Sequence, residues 1–400
     1  MAARFPLPLI LACGSAVALI SLGERSSLGL FQTDIVAAKG WTRETFSFAF
    51  ALQNLVWGIG QPFFGALADR WGTMRVIMIG AVLYALGLMG TVWVEAPIGL
   101  HMLFGVVIGL GLSASSFTIV ISAFGRSVTP QKRTLAFGLG TAAGSLGMFL
   151  FGPLGAILLS QEGWASSLYI FAAIALFMAL LAVPLQGRSA SDPGAPKQSL
   201  GAALSEAFGY RSYVLLVIGF FVCGFHVAFI IAHMPAFLSD EGFSPELGGY
   251  ALALIGLCNV VGSLGAGAIG QRVSKAYALS ALYALRSVAI VAFVLVPMSP
   301  ASVLIFSSVM GLLWLSTVPL TSGLVSVMFG PRYMATLFGF VFLSHQIGSF
   351  MGVWLGGVIY ERTGSYDMLW WIGVVLGLLA ALVHLPIRDA PARDPAPVAA

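Results

Sequence analysis

Gly65-Ala-Leu-Ala-Asp69-Arg70-Trp71-Gly72-Thr73-Met74-Arg75 separates two long apolar runs, and a shortened copy, Gly267-Ala-Ile-Gly-Gln271-Arg272, stands 202 residues later. A second match keeps nearly the same register. Pro130, Phe137, Gly138, Gly147 and Phe149 recur as Pro331, Phe338, Gly339, Gly348 and Phe350, each displaced by 201. One such match is within reach of chance, but two in register point to an internal duplication. The offset carries a whole number of apolar runs onto its equivalents in the same direction, so the halves form a parallel repeat.

Outward from these loops the chain is apolar almost throughout. Of 400 residues, 59% are hydrophobic, 12% aromatic and only 8% charged, and the mean hydropathy is +0.97. Soluble domains carry about a quarter charged residues, so a soluble enzyme, a nucleic-acid binder and a disulfide scaffold are all excluded. Cys13, Cys223 and Cys258 lie inside apolar runs with no metal-ligand spacing, and the sequence calls for neither metal nor cofactor. A bilayer-spanning helix needs about 20 apolar residues. Twelve such runs are predicted, near 7–31, 46–68, 76–94, 98–124, 135–159, 165–185, 212–238, 247–270, 277–297, 302–329, 335–359 and 367–386. The expected fold is therefore an all-α membrane protein of twelve transmembrane helices. The run after Phe5 continues past Cys13 and reads as an uncleaved first helix. The longest polar interval, 186–211, falls near the midpoint and reads as a linker between a half at 1–185 and a half at 212–400.

Charge orients this bundle. Fourteen of the nineteen Lys and Arg fall on the side of the chain ends, and only Lys39, Arg43 and Arg362 on the other. That bias places both termini in the cytoplasm, with the protein in the inner or plasma membrane. The basic balance therefore reports topology, and no nucleic-acid partner is expected.

GALADRWGTMR, with its degenerate second copy, resembles the loop between helices 2 and 3 of the major facilitator superfamily, matched at Gly65, Asp69, Arg70, Gly72 and Arg75. Thr73 and Met74 replace the basic residues usual there. The resemblance covers the whole chain and implies two parallel six-helix halves, a cavity lined by helices 1, 4, 7 and 10, and action as a monomer. Cys223 to Leu238 (CGFHVAFIIAHMPAFL), GLLWLSTVPLTSGL and the GPRY–FG entry to helix 11 further resemble the oxalate/formate antiporter and monocarboxylate-transporter branch. In that branch helix 8 carries a substrate-binding arginine beside an acidic residue. Here those positions read Ser263 and Asn259, so that arginine is not carried over.

Charges within spans are costly, about 2.5–3.5 kcal/mol each even on lenient insertion scales, and are functional candidates by default. There are three: Glu24, Arg25 and Arg286. Arg25, in the outer half of helix 1, is a candidate for holding an anionic substrate, or else an ion pair or interfacial anchor. Glu24, about 100° around the helix, is a candidate for proton coupling or gating. Arg286 on helix 9 reads either as a structural cation paired with a carbonyl or as a substitute anion site. His226, His233 and His345 are candidate substrate ligands, and His226 and His345 also candidate proton carriers. Gln53, Trp57 and Gln61 form one stripe on helix 2, with Asn54 beside it; Trp314, Thr317 and Thr321 form another on helix 10. Such stripes line a wet cavity or bind helices together, and both readings stand for Gln53, Asn54, Trp57, Trp314, Thr317 and, on helix 8, Asn259. Gly348, Gly352 and Gly356, with Gly140 and Gly144, read as close packing that lets the halves rock. Asp69, with Arg70, Arg75 and Arg126, is expected to gate. Asp69 would meet a neighbouring helix N-terminus or Arg126 only while the cytoplasmic side is closed.

The leading expectation is a secondary transporter carrying a small organic anion, a carboxylate by preference, by alternating access. It would be coupled to protons or to a counter-anion. The alternative is drug or metabolite efflux by proton antiport, for which Gly152, Pro153 and Gly155 give only an incomplete motif. A membrane-embedded sensor or enzyme is more remote, because no catalytic set clusters, and no ATP-binding P-loop suggests a pump.

Overall fold

The computed structural model describes residues 5–41, 43–187 and 199–392. Among these there is no strand. The helices in chain order are α1 (Leu7–Ser27), α2 (Gln32–Lys39), α3 (Arg43–Trp71), α4 (Thr73–Trp93), α5 (Pro97–Leu100), α6 (Ile108–Ser115), α7 (Phe117–Ser127) and α8 (Arg133–Leu181). After the midpoint come α9 (Leu200–Gly209), α10 (Arg211–Asp240), α11 (Pro245–Ile269), α12 (Lys275–Leu295), α13 (Pro300–Leu313), α14 (Thr317–Phe329), α15 (Met334–Thr363) and α16 (Asp367–His384).

Ten described segments are long and apolar enough to cross a membrane. One of them, Pro130–Leu181, holds two of the expected runs, because the chain turns at Gly163 with φ +74, a backbone region open to glycine. The expected second span is α3, whose Gln53, Asn54 and Gln61 dilute its apolar character. The outer surface is greasy: Phe63 is 65% exposed, Trp93 75% and Leu180 67%. Water would penalise such a surface, and lipid does not. Helices also satisfy every backbone group internally, which hydrocarbon demands.

Three local details differ from the expected spans. The fourth run is three pieces: α5 passes through a wide-turn stretch at His101–Val107 into α6, and Ser116, extended at φ −67 and ψ 161, separates α6 from α7. The tenth run is broken between α13 and α14, where Trp314 departs from helical geometry. Part of the expected linker is helical: α9 starts at a Ser199 cap and buries Ala203 and Ala207. Residues 188–198 of that linker lie outside the described residues.

The repeat is visible in the packing. A Cβ added at Gly147 would run into the Leu19 carbonyl, and one added at Gly348 into the Phe221 carbonyl. These are the same approach, α8 on α1 and α15 on α10, at the offset read in the sequence. It corrects one expectation. Gly348, Gly352 and Gly356 pack against Phe221, Phe225 and His233, and Gly144 against Leu22, so these glycine faces build each half from within. Contact between halves uses other glycines. A Cβ at Gly339 would lie 2.8 Å from Pro62 Cα, one at Gly138 2.7 Å from the Ser263 carbonyl, and one at Gly58 2.6 Å from Gln346 Cβ.

Candidate functional site

The seam between the halves is formed by α3 against α15 and by α8 against α11, and it is closed at the Asp69 end. Asp69 Oδ2 accepts from the Thr336 backbone N–H at 3.0 Å and from its hydroxyl at 2.9 Å. Thr336 lies in the first turn of α15, so a carboxylate meets the positive end of that helix. Arg126 donates to Ser122 and Thr73, tying α7 to α4. Arg70 and Arg75 are exposed. The opposing faces stay in contact as far as Asn259, whose Nδ2 donates to Ser145 Oγ at 2.6 Å. Gly152, two turns beyond Ser145 on α8, and Gly256, less than one turn from Asn259 on α11, have nothing within 4 Å of an added Cβ. The close approaches described for this pair of helices thus run from the loops to mid-helix.

Near mid-helix, polar groups from both halves meet. Arg25 donates to Asn54 Oδ1, and its guanidinium lies over the Trp57 and Phe50 rings at 5.1 and 5.3 Å. Arg25 Nε is shielded from solvent and has no partner, and no described carboxylate pairs with this cation. Across the seam Gln346 Nε2 donates to the Asn54 carbonyl at 3.2 Å, and its Oε1 lies 3.2 Å from His345 Nδ1. His345 stacks on Phe342, at 5.4 Å and 8°, and Phe342 lies 4.9 Å from Trp57. Cys223 Sγ lies beside His345 and 3.2 Å from Thr317 Oγ1. Arg25, Asn54, Trp57, His345 and Thr317 thus gather at one level, a cation and a few polar groups in an aromatic setting.

The other candidates hold helices. Gln53 Nε2 donates to the Phe104 carbonyl at 3.1 Å. Trp57 Nε1 donates to Gln61 Oε1 at 3.2 Å, and Gln61 Oε1 also accepts from Ser116 at 2.9 Å, clamping the extended residue between α6 and α7. Asn259 Oδ1 accepts from the Leu315 N–H at 2.9 Å and from Ser263 at 3.1 Å. From the other side Arg286, fully buried, donates to the Leu313 carbonyl at 2.7 and 3.1 Å and to that of Trp314. Broken helices leave orphan N–H and C=O groups; here one asparagine and one arginine satisfy both kinds. His226 Nε2 sits 2.7 Å from the Gly373 carbonyl, facing α16, and His233 Nε2 2.9 Å from that of Val353, near Tyr366. Glu24 is fully buried, and neither of its carboxylate oxygens has a hydrogen-bond partner; the Tyr84 hydroxyl is equally unpartnered.

Cys223, Gln346 and Ser116 were not among the expected ligands. The Ser-rich run 113–116 and Pro319, in the first turn of α14 where a missing N–H costs nothing, are the signals that mark the two breaks.

The model of the Major Facilitator Superfamily matches residues 14–353. The chain belongs to this superfamily. Similar curated proteins include Monocarboxylate transporter 13 of Bos taurus, 25% identical over 93% of this chain and 88% of its own, and Monocarboxylate transporter 11 of Homo sapiens, 25% identical over 95% and 83%. An uncharacterised MFS-type transporter of Bacillus subtilis, YcxA, is 24% identical over 91% of each. Among solved structures the E. coli fucose:proton symporter FucP aligns with a TM-score of 0.71 at 16% identity, over 94% of this chain and 97% of that one. The human organic anion transporter MFSD10 aligns at 0.68 and 16%, over 95% and 100%. The transporter is a multi-pass integral membrane protein, and its relatives are transporters, not enzymes.

Proposed function

We propose that the transporter carries a small organic monocarboxylate by alternating access, with a proton as the coupled ion. The observation that carries this reading is Arg25: a cation at the middle of the seam, framed by Trp57 and Phe50, with no ion pair to any described carboxylate. A substrate carboxylate would complete that charge, and Asn54, His345 and Thr317 supply neutral hydrogen-bond partners around it. The names of the monocarboxylate and organic anion transporters agree with this class. Glu24, one residue away, is assigned to the proton; neither of its oxygens has a hydrogen-bond partner to support an ionised carboxylate, as befits a carrier that exchanges its proton in another state. The moving bodies are residues 1–185 and 212–400, joined by 186–211. Both termini face the cytoplasm of the inner or plasma membrane, the Asp69 end of the seam is the cytoplasmic gate, and the monomer is the working unit.

The test is uptake of radiolabelled lactate and pyruvate into proteoliposomes. Saturable uptake, stimulated by an inward proton gradient, is expected. Arg25→Gln should cut kcat/KM by roughly 10- to 100-fold, the worth of one charge-assisted hydrogen bond, and Arg25→Lys should restore part of it. Unchanged uptake in Arg25→Gln removes the residue, and with it this reading.

A further inference from the structure

Away from the substrate cleft, a cavity of about 360 Å³ opens at the closed end of the seam. Gln131, Arg133 and Thr134 line it from the first half, and Gln271, Lys275 and Ser326 from the second. No described carboxylate is among its lining residues. Both cations are held in place. Arg133 Nε donates to the Gly125 carbonyl at 2.9 Å, and its Nη1 reaches across the seam to Ser326 Oγ at 3.3 Å. The Lys275 stem crosses Gly323 beside Thr134, where a Cβ on Gly323 would lie 3.0 Å from Lys275 Cδ and 3.1 Å from Thr134 Oγ1. The same corner already draws an oxyanion of the protein: Asp389 Oδ2 accepts from the Lys275 backbone N–H at 2.9 Å and lies 3.5 Å from Nζ. Asp389 belongs to a tail that stays with the second half, through Arg388 N–H to Ser212 Oγ at 3.1 Å and Ala392 N–H to the Met328 carbonyl at 2.9 Å.

We propose that this cavity binds a phosphate-like oxyanion, either a free ion or the headgroup of an anionic lipid, and that its occupancy holds this face of the transporter shut. The chemistry is that of an arginine with no described carboxylate against it, a lysine whose charge is shared with Asp389, and hydroxyls and carboxamides around them, so one net positive charge remains. The walls come from both halves, so the cavity exists only while they are together. A ligand that binds one state shifts the population toward it. The site is separate from the Arg25 cleft and stands whether or not the substrate is a carboxylate.

The experiment is thermal unfolding of the purified full chain. One arm compares sodium phosphate with chloride at matched ionic strength. The other compares nanodiscs of phosphatidylglycerol with nanodiscs of phosphatidylcholine. Near saturation a rise in Tm of roughly 2 °C is expected. It should vanish in Lys275→Gln and in Gln131→Glu, which places an acid at an exposed lining position without disturbing packing, and persist in Arg25→Gln. A response to phosphate alone identifies a free ion, and a response to phosphatidylglycerol alone a headgroup; either supports the site. No rise in either arm overturns the proposal, as does a rise that survives both Lys275→Gln and Gln131→Glu.

Discussion

Two adjacent residues of α1 divide the electrostatic work, because neighbours on a helix point about 100° apart. Arg25 faces the seam and is caught by Asn54, Trp57 and Phe50, while Glu24 is fully buried with no partner on either oxygen. Arg25 itself and Tyr84, whose hydroxyl is likewise unpartnered, are the titratable groups beside Glu24. A carrier of the proton and a binder of the anion should separate by mutation. Glu24→Gln should retain exchange of labelled for unlabelled substrate across the membrane but lose accumulation driven by a proton gradient. Gradient-driven accumulation at wild-type levels in that variant would dismiss Glu24 from coupling. These two positions were legible in the sequence because a charge inside a span needs a reason. Cys223 was not. A thiol in an apolar run resembles any small core residue, and its partners, Thr317 and His345, come from α14 and α15 and meet it only in the fold.

At the scale of elements, the runs and their duplication could be read directly, since apolar length and a repeated loop survive without side-chain detail. The interruptions of helices four and ten could not, because hydropathy is blind to where an apolar run changes direction. For the same reason the stripes at Gln53, Trp57 and Gln61 and at Trp314, Thr317 and Thr321 read equally well as cavity wall or as interhelical glue. The structure gives much of them the second role: Gln53 holds the backbone of the wide-turn stretch between α5 and α6, Gln61 clamps Ser116, and Asn259 with Arg286 secures the backbone around Trp314. Arg286→Met should therefore lower stability, since it leaves buried carbonyls at Leu313 and Trp314 without donors. The expected loss is about 1–3 kcal/mol per orphaned group. It should be read as a lower Tm in detergent, with KM for substrate nearly unchanged. A large KM increase at wild-type Tm would instead put Arg286 in the anion site.

For the molecule as a whole, the seam is where the two halves meet, and under the proposed alternating access it is the joint that opens. Each half is locked internally by glycine-to-carbonyl approaches such as Gly147 on Leu19 and Gly348 on Phe221, and similar approaches, such as Gly138 on Ser263, close the seam between them. Asp69 is the main polar latch at its closed end, and it acts on the first turn of α15. Asp69→Asn keeps an acceptor oxygen but loses the charge facing that helix terminus, worth about 0.3–1 kcal/mol and up to about 2 when partly buried. Turnover in proteoliposomes should fall by roughly 2- to 10-fold with little change in KM, and a KM rise larger than the fall in kcat would contradict a purely mechanical role. The tail anchored at Ser212, Lys275 and Met328 has a practical consequence. The hydrogen bonds of its described residues named above go to the second half, whereas exposed Arg75 at the start of α4 belongs to the first. A donor dye at Ala392 and an acceptor at Arg75→Cys would convert each opening of the joint into a change of colour, turning single molecules into counters of their own cycles.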